Sequence, residues 1–168
     1  MTQLYLAYGS NLHPIRLIER VPSARLIGTI QLDRYQVIFN KRSSDGSSKC
    51  NLMYTGDDEH IAYAAVYEME AGEKLVLDAI EGLGKGYDEH KLQVLVNGDT
   101  LTVFTYISAG AHLVMGLTPY DWYHALVIAG ATYHKFPTRY VNALRAVPTQ
   151  PDMDLERRAK HEHLLAKM

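Results

Sequence analysis

Tyr8-Gly9-Ser10-Asn11 and Glu81 are the groups in this chain best suited to act on a bound small molecule. The first closes a short apolar run, Tyr5-Leu6-Ala7. A strand that ends in Gly, Ser and Asn exposes several backbone N–H groups, which can converge on a carboxylate or a polarised carbonyl oxygen. Glu81 follows Leu77-Asp78-Ala79-Ile80 and precedes Gly82, Gly84 and Gly86. A carboxylate after a mostly apolar turn is partly withdrawn from water, a setting that suits general acid–base work. Asp78, three residues earlier, shares its helix side and offers a second carboxylate. Each feature also has a plain structural reading, as a turn that only turns and as a solvated glutamate at a helix end. Ser10 lacks the Gly-x-Ser-x-Gly setting of a hydrolase nucleophile. Cys50, the single cysteine, opens a strand, where packing is its usual role. His161 and His163 stand at i and i+2, which do not face each other on a helix, so no metal site is expected.

Positioning these groups falls to short strands and a few helices. The first strand covers Gln3 to Ala7, and Pro14 starts a brief helix reaching about Glu19. From Ile27 to Phe39 the apolar residues alternate in two phases, so a bend is expected at Asp33 and Arg34. Lys41 to Lys49 holds no apolar residue and reads as a mobile surface loop. Strands follow at Cys50 to Thr55 and at Ile61 to Met69, and a helix spans Glu70 to about Ile80. Leu92, Val94 and Val96 alternate before Asn97-Gly98, and Leu101, Val103, Thr105 and Ile107 after it, the pattern of a hairpin with a type I′ turn. Thr118-Pro119 reads as a helix start, that helix runs to about Ala129, and another spans Thr138 to Ala146. The tail from Asp152 is charged and is expected to be a terminal helix or a frayed end. The sum is an α+β domain whose sheet curls or closes.

The 168 residues suit one hydrophobic core, and 47% hydrophobic against 21% charged residues excludes a disordered chain. Seventeen Lys and Arg against nineteen Asp and Glu leave a formal charge of −2, no electrostatic footprint for nucleic acid or an anionic membrane. A start without a basic, apolar leader and a lone cysteine make the expected location cytoplasmic.

Taken together the blocks resemble the γ-glutamylcyclotransferase family. Tyr5-Leu6-Ala7-Tyr8-Gly9-Ser10-Asn11-Leu12 is similar to its Y-x-x-Y-G-S-N-L opening, and Leu77-Asp78-Ala79-Ile80-Glu81-Gly82 followed by Tyr87 to its L-D-x-x-E-G segment. Pro119, Tyr123, the Gly130-Ala131 break, Pro137, Tyr140 and Leu144 resemble a third block. The resemblance implies a small, mostly antiparallel or mixed β-barrel of about six strands with flanking helices, in one domain over 1–148 before a charged tail at 149–168. It implies an enzyme that cyclises a γ-glutamyl amine, amino acid or peptide, releasing 5-oxoproline and the free amine. Glu81 would be the single general acid and base. Tyr5, Leu6, Ala7, Tyr8, Gly9, Ser10 and Asn11 would hold substrate, and Tyr87 and Tyr123 would wall the pocket and orient substrate through their hydroxyls. No cofactor is implied. The partner is a small γ-glutamyl molecule, with neither nucleic acid nor membrane, and a homodimer is allowed. Two further readings stay open, a non-catalytic small-molecule-binding member of the same fold and removal of a γ-glutamyl group in a specialised biosynthetic pathway.

Overall fold

Strand β1, Thr2–Ala7, is the middle strand of the main sheet in the computed structural model, which describes residues 1–168. After it come α1 (Pro14–Arg20), β2 (Arg25–Asp33), β3 (Tyr35–Arg42), β4 (Ser48–Tyr54), β5 (Ile61–Glu70), α2 (Lys74–Glu81), β6 (Tyr87–Val96) and β7 (Asp99–Ser108). The chain ends in α3 (Asp121–Tyr133), α4 (Thr138–Arg145) and α5 (Leu155–Leu165). The five-stranded sheet has the order β2-β5-β1-β7-β6, and β3 and β4 form a separate two-stranded ribbon. β1 pairs antiparallel with β5 and parallel with β7, so the sheet is mixed. Covered on both faces, β1 buries Leu6 and Ala7 completely, which is why its sequence reads as a continuous apolar run rather than an alternation.

The sheet curls until its edges almost meet. β2 shifts register between Leu26 and Gly28, and a Cβ at Gly28 would lie 2.9 Å from Val96 Cγ1 on the opposite edge. Asn97 Nδ2 donates to the Ile27 carbonyl at 3.1 Å across the same seam. A bulge followed by glycine is how a twisted sheet admits such an approach. The result is the curled α+β half-barrel that the sequence anticipates. Arg34, at φ 67, carries the chain from the main sheet to the ribbon at the expected bend.

The hairpin fixes one end of the site from a distance. Asn97 and Gly98 adopt φ of 52 and 95, and the ladder runs unshifted from Val96 opposite Asp99 to Tyr87 opposite Ser108. Ten residues of β6 therefore carry the turn's register to Tyr87.

Three expectations need correction. Lys41 to Lys49 is not a mobile loop: β3 continues to Arg42, β4 begins at Ser48, and Ser47 and Ser48 are buried. The Asp45 carboxylate organises the bend, accepting from the Ser47 amide and hydroxyl at 3.0 and 2.7 Å and from Lys49 Nζ at 2.7 Å. Thr118-Pro119 does not start the helix. Its carbonyls accept from the amides of Ser48 and Gln150, and α3 begins at Asp121. Nor does α3 stop at Ala129, because Gly130-Ala131 is no break. A Cβ at Gly130 would fall 2.3 Å from Leu12 Cβ and 2.8 Å from the His13 amide nitrogen, so glycine lets the helix lie directly on the chain that follows β1.

The tail lies on the body. Asp152, 1% exposed, accepts from Trp122 Nε1 at 2.8 Å and from both Arg157 Nε and Nη2 at 2.6 Å. The His161 ring stacks on Trp122 at 3.7 Å.

Candidate active site

β1 ends at Ala7 and the chain turns through Tyr8 to Leu12, where Leu12 N–H donates to the Gly9 carbonyl at 3.1 Å. That bond leaves the amides of Gly9, Ser10 and Asn11 without a backbone acceptor. Ser10 and Asn11 are nonetheless buried, at 8% and 3% exposed, and buried donors of this kind normally have partners. Gly9 is required by proximity, because a Cβ there would meet Cys50 Cβ at 3.0 Å.

Glu81 is the last residue of α2, which Gly82 caps at φ 71. This cap turns the chain away and leaves the Glu81 side chain facing the turn, seventy residues distant in sequence. Oε1 accepts from Asn11 Nδ2 at 2.9 Å and from Arg20 Nη1 at 2.8 Å, and Arg20 Nη1 also donates to Asn11 Oδ1 at 2.9 Å. The carboxylate is thus anchored through one oxygen. Oε2 has no hydrogen-bond partner, while the side chain as a whole is 17% exposed.

One small cavity joins these groups. Tyr5, Tyr8, Gly9, Ser10, Asn11 and Glu81 line it together with Cys50, Tyr87, Tyr106 and Tyr123. Its volume is about 20 Å³, room for a single water. A chamber of about 260 Å³ adjoins it, sharing Ser10, Glu81, Tyr87 and Tyr123. A larger cavity, about 740 Å³, lies elsewhere, between β3 and α4, is mostly apolar and holds neither Glu81 nor the turn.

The phenols are neutral structural members. Burial raises the Tyr5, Tyr8, Tyr87 and Tyr123 hydroxyls well above the ordinary tyrosine range. Tyr8 donates to the Tyr106 carbonyl and Tyr87 to the Cys50 carbonyl, while Tyr123 accepts from the Cys50 amide at 3.0 Å. The expectation that Tyr87 and Tyr123 orient substrate is therefore narrowed: Tyr87 spends its proton on the Cys50 carbonyl, whereas the hydroxyls of Tyr123 and Tyr5 accept, from the Cys50 amide and from Asn11 Nδ2, and keep theirs. Burial also pushes the Cys50 thiol up to about 12, which removes it as a nucleophile near neutrality.

Of the residues singled out from sequence, the structure gathers Tyr5, Tyr8, Gly9, Ser10, Asn11, Glu81, Tyr87 and Tyr123 around one space. Leu6 and Ala7 do not reach it. Their side chains are wholly buried in the core, and what they do is place the turn. Asp78 is turned away, held by Lys74 at 2.7 Å and by the Tyr106 hydroxyl at 2.6 Å. The sequence reading missed Arg20 and Tyr106. Arg16 and Arg20, four apart on the helix after the turn, are the signal that would have found the first.

Residues 62–144 match the model of the AIG2-like family. No curated protein matches the chain by sequence. Among solved structures the chain is similar to a gamma-glutamyl cyclotransferase at 20% identity, with 100% of each chain covered and a TM-score of 0.82. It is similar to an uncharacterised protein from Homo sapiens at 22% identity, over 95% of this chain and 98% of that one, with a TM-score of 0.77. A yeast gamma-glutamyl cyclotransferase specific to glutathione shares 13% identity over 99% of this chain and 88% of that one, at a TM-score of 0.52. No helix is long and apolar enough to cross a membrane.

Proposed function

The chain is γ-glutamylcyclotransferase-like in fold and AIG2-like over residues 62–144, and from that premise we propose that it cyclises a small γ-glutamyl compound to 5-oxoproline with release of an amine. The observation that carries this reading is the free Oε2 of Glu81 in one cavity with the unpaired amides of Gly9 to Asn11.

The reaction needs little from a protein beyond positioning. The substrate's own α-amino group attacks its γ-carbonyl carbon, so nucleophile and electrophile are already tethered and the site has only to select the ring-closing conformer. Glu81 Oε2 takes a proton from the ammonium, and the freed amine adds to the carbonyl. The oxygen that gains negative charge is held by the turn's backbone N–H groups. Collapse of that adduct breaks the amide C–N bond. Ring closure removes two protons from the attacking ammonium and gives two to the departing nitrogen, and one carboxylate can relay them in turn. Arg20 and Asn11 keep Oε1 fixed while Oε2 works. The inner space admits one water, so on this reading the γ-glutamyl group enters from the adjoining chamber, which shares Glu81 and Ser10, and widens the cavity as it binds.

The test is direct incubation with γ-glutamyl amines, amino acids and peptides, with 5-oxoproline measured by mass spectrometry. An N-acetylated γ-glutamyl amide should give no product, because its nitrogen is no longer nucleophilic. Release of N-acetylglutamate would instead show water as the attacking group, and the reading would fall.

A further inference from the structure

The chamber beside Glu81 is unevenly charged. Arg16, Arg20, Lys41, Lys49 and Arg157 reach it, against the carboxylates of Asp45 and Glu81. Three of these cations have close partners: Arg20 lies 2.8 Å from Glu81, Lys49 2.7 Å from Asp45, and Arg157 2.6 Å from Asp152. Arg16 and Lys41 are left over.

Arg16 is 5% exposed. Its nearest carboxylate oxygen belongs to the half-exposed Glu19, 3.8 Å from Nη1, and its Nε is buried without a hydrogen-bond partner. Nη1 also approaches His161 Nδ1 at 3.5 Å, but burial and the neighbouring guanidinium of Arg16 hold His161 at about 4, so near neutrality this ring adds no charge. Lys41 has no carboxylate within ion-pair distance, and its Nζ lies 4.6 Å above the Tyr87 ring. Gly86 leaves room for the end of this side chain, since a Cβ there would fall 2.8 Å from Lys41 Cε and 2.9 Å from Nζ. Withdrawing a cation from water is costly unless a counter-charge lies close. Arg16, with only a half-exposed carboxylate at 3.8 Å and a buried Nε without a partner, and Lys41, with no ion pair, fit a ligand that supplies further negative charge.

Direction assigns that charge to one part of the substrate. If the γ-glutamyl group is held by the turn amides on the inner side of Glu81, the bond to be broken points outward and the departing amine occupies the chamber. We propose that the chamber binds the released amine, and that Arg16 and Lys41 select amines carrying two anionic groups, of which a dicarboxylic amino acid is the simplest case. This inference rests on the cyclotransferase reading and sets the substrate class within it.

Three substrates separate the two claims: γ-glutamyl-glutamate, γ-glutamyl-alanine and γ-glutamyl-methylamide, whose departing amines carry two, one and no carboxylates. Formation of 5-oxoproline should rise in kcat/KM by about tenfold at each added carboxylate, mostly through KM, in line with one charge-assisted hydrogen bond each. Added salt should compress the differences. Lys41→Gln and Arg16→Gln should each lower the glutamate-to-methylamide ratio by about tenfold. Arg16 is buried, so Lys41→Glu, on a more accessible side chain, gives a second measure and should lower the ratio further than Lys41→Gln. Equal kcat/KM for the three substrates, or an unchanged ratio in Lys41→Glu, overturns the selectivity and leaves the cyclotransferase reading standing. No 5-oxoproline from any of the three overturns both.

Discussion

Glu81 has one anchored and one free oxygen, and that asymmetry makes its replacement informative. Glutamine at this position keeps an oxygen for Arg20 and Asn11 but cannot accept a proton, so Glu81→Gln should fold with a Tm within a few degrees of the parent. Its turnover should fall at least about a hundredfold, the lower bound for losing a general acid and base. Turnover at the parental rate would dismiss Glu81 as the proton carrier. Arg20 acts through Glu81. Arg20→Lys cannot hold Asn11 Oδ1 and Glu81 Oε1 in one plane, and we expect kcat to drop by about tenfold with KM little changed, read by steady-state kinetics. An unchanged kcat would mean that the guanidinium only fills space. At this scale the sequence is uneven in what it discloses. Glu81 and the Tyr8–Asn11 turn stand out through a recognisable spacing, whereas Arg16 and Arg20 look like any solvated pair on a short helix until tertiary packing turns their face inward. Tyr106 is hidden for a similar reason, because an aromatic on an alternating strand gives no sign of which carboxylate its hydroxyl will meet.

Among the elements, α3 most directly governs the turn that the chemistry uses. Alanine is the better helix former by about 1 kcal/mol, so propensity alone favours Gly130→Ala. Packing decides otherwise: the new Cβ would sit 2.3 Å from Leu12 Cβ and 2.8 Å from the His13 amide nitrogen, neither of which can move without shifting the turn. Urea denaturation should show a net loss of about 1–3 kcal/mol, and KM should rise with it. A stabilised variant would show that α3 has room to retreat. The strands and the hairpin were readable because alternation and Asn97-Gly98 are local signals. Lys41 to Lys49 misleads because its serines, acid and glycine suggest a solvated loop, whereas the Asp45 carboxylate gathers the Ser47 and Lys49 donors into a compact bend. Thr118-Pro119 misleads in the opposite sense, since its cap chemistry is real but the segment's carbonyls are taken by Ser48 and Gln150.

Across the whole molecule, three histidines tie stability to pH with one sign. His13, His134 and His161 are all held below the usual imidazole range, first by burial, and His161 lies at about 4. The unfolded chain therefore binds more protons than the folded one below about pH 6.5, and stability must fall as the pH drops through that value. Tm should decline by several degrees between pH 6.5 and 5, a window above the titration of ordinary carboxylates. His161→Phe keeps a ring on Trp122 and should flatten the decline. A Tm that stays level over this interval would refute the argument. α5 has a consequence of another kind. Arg157 and His161 form part of the chamber wall, yet they are made after every other residue that lines it. During translation the strands and the Glu81 turn can leave the ribosome before that wall exists, so the nascent chain cannot hold a complete chamber. The amine's side of the site is then the last to be enclosed, because Arg16, Lys41 and the Glu81 turn are all made before the wall that completes the chamber around them.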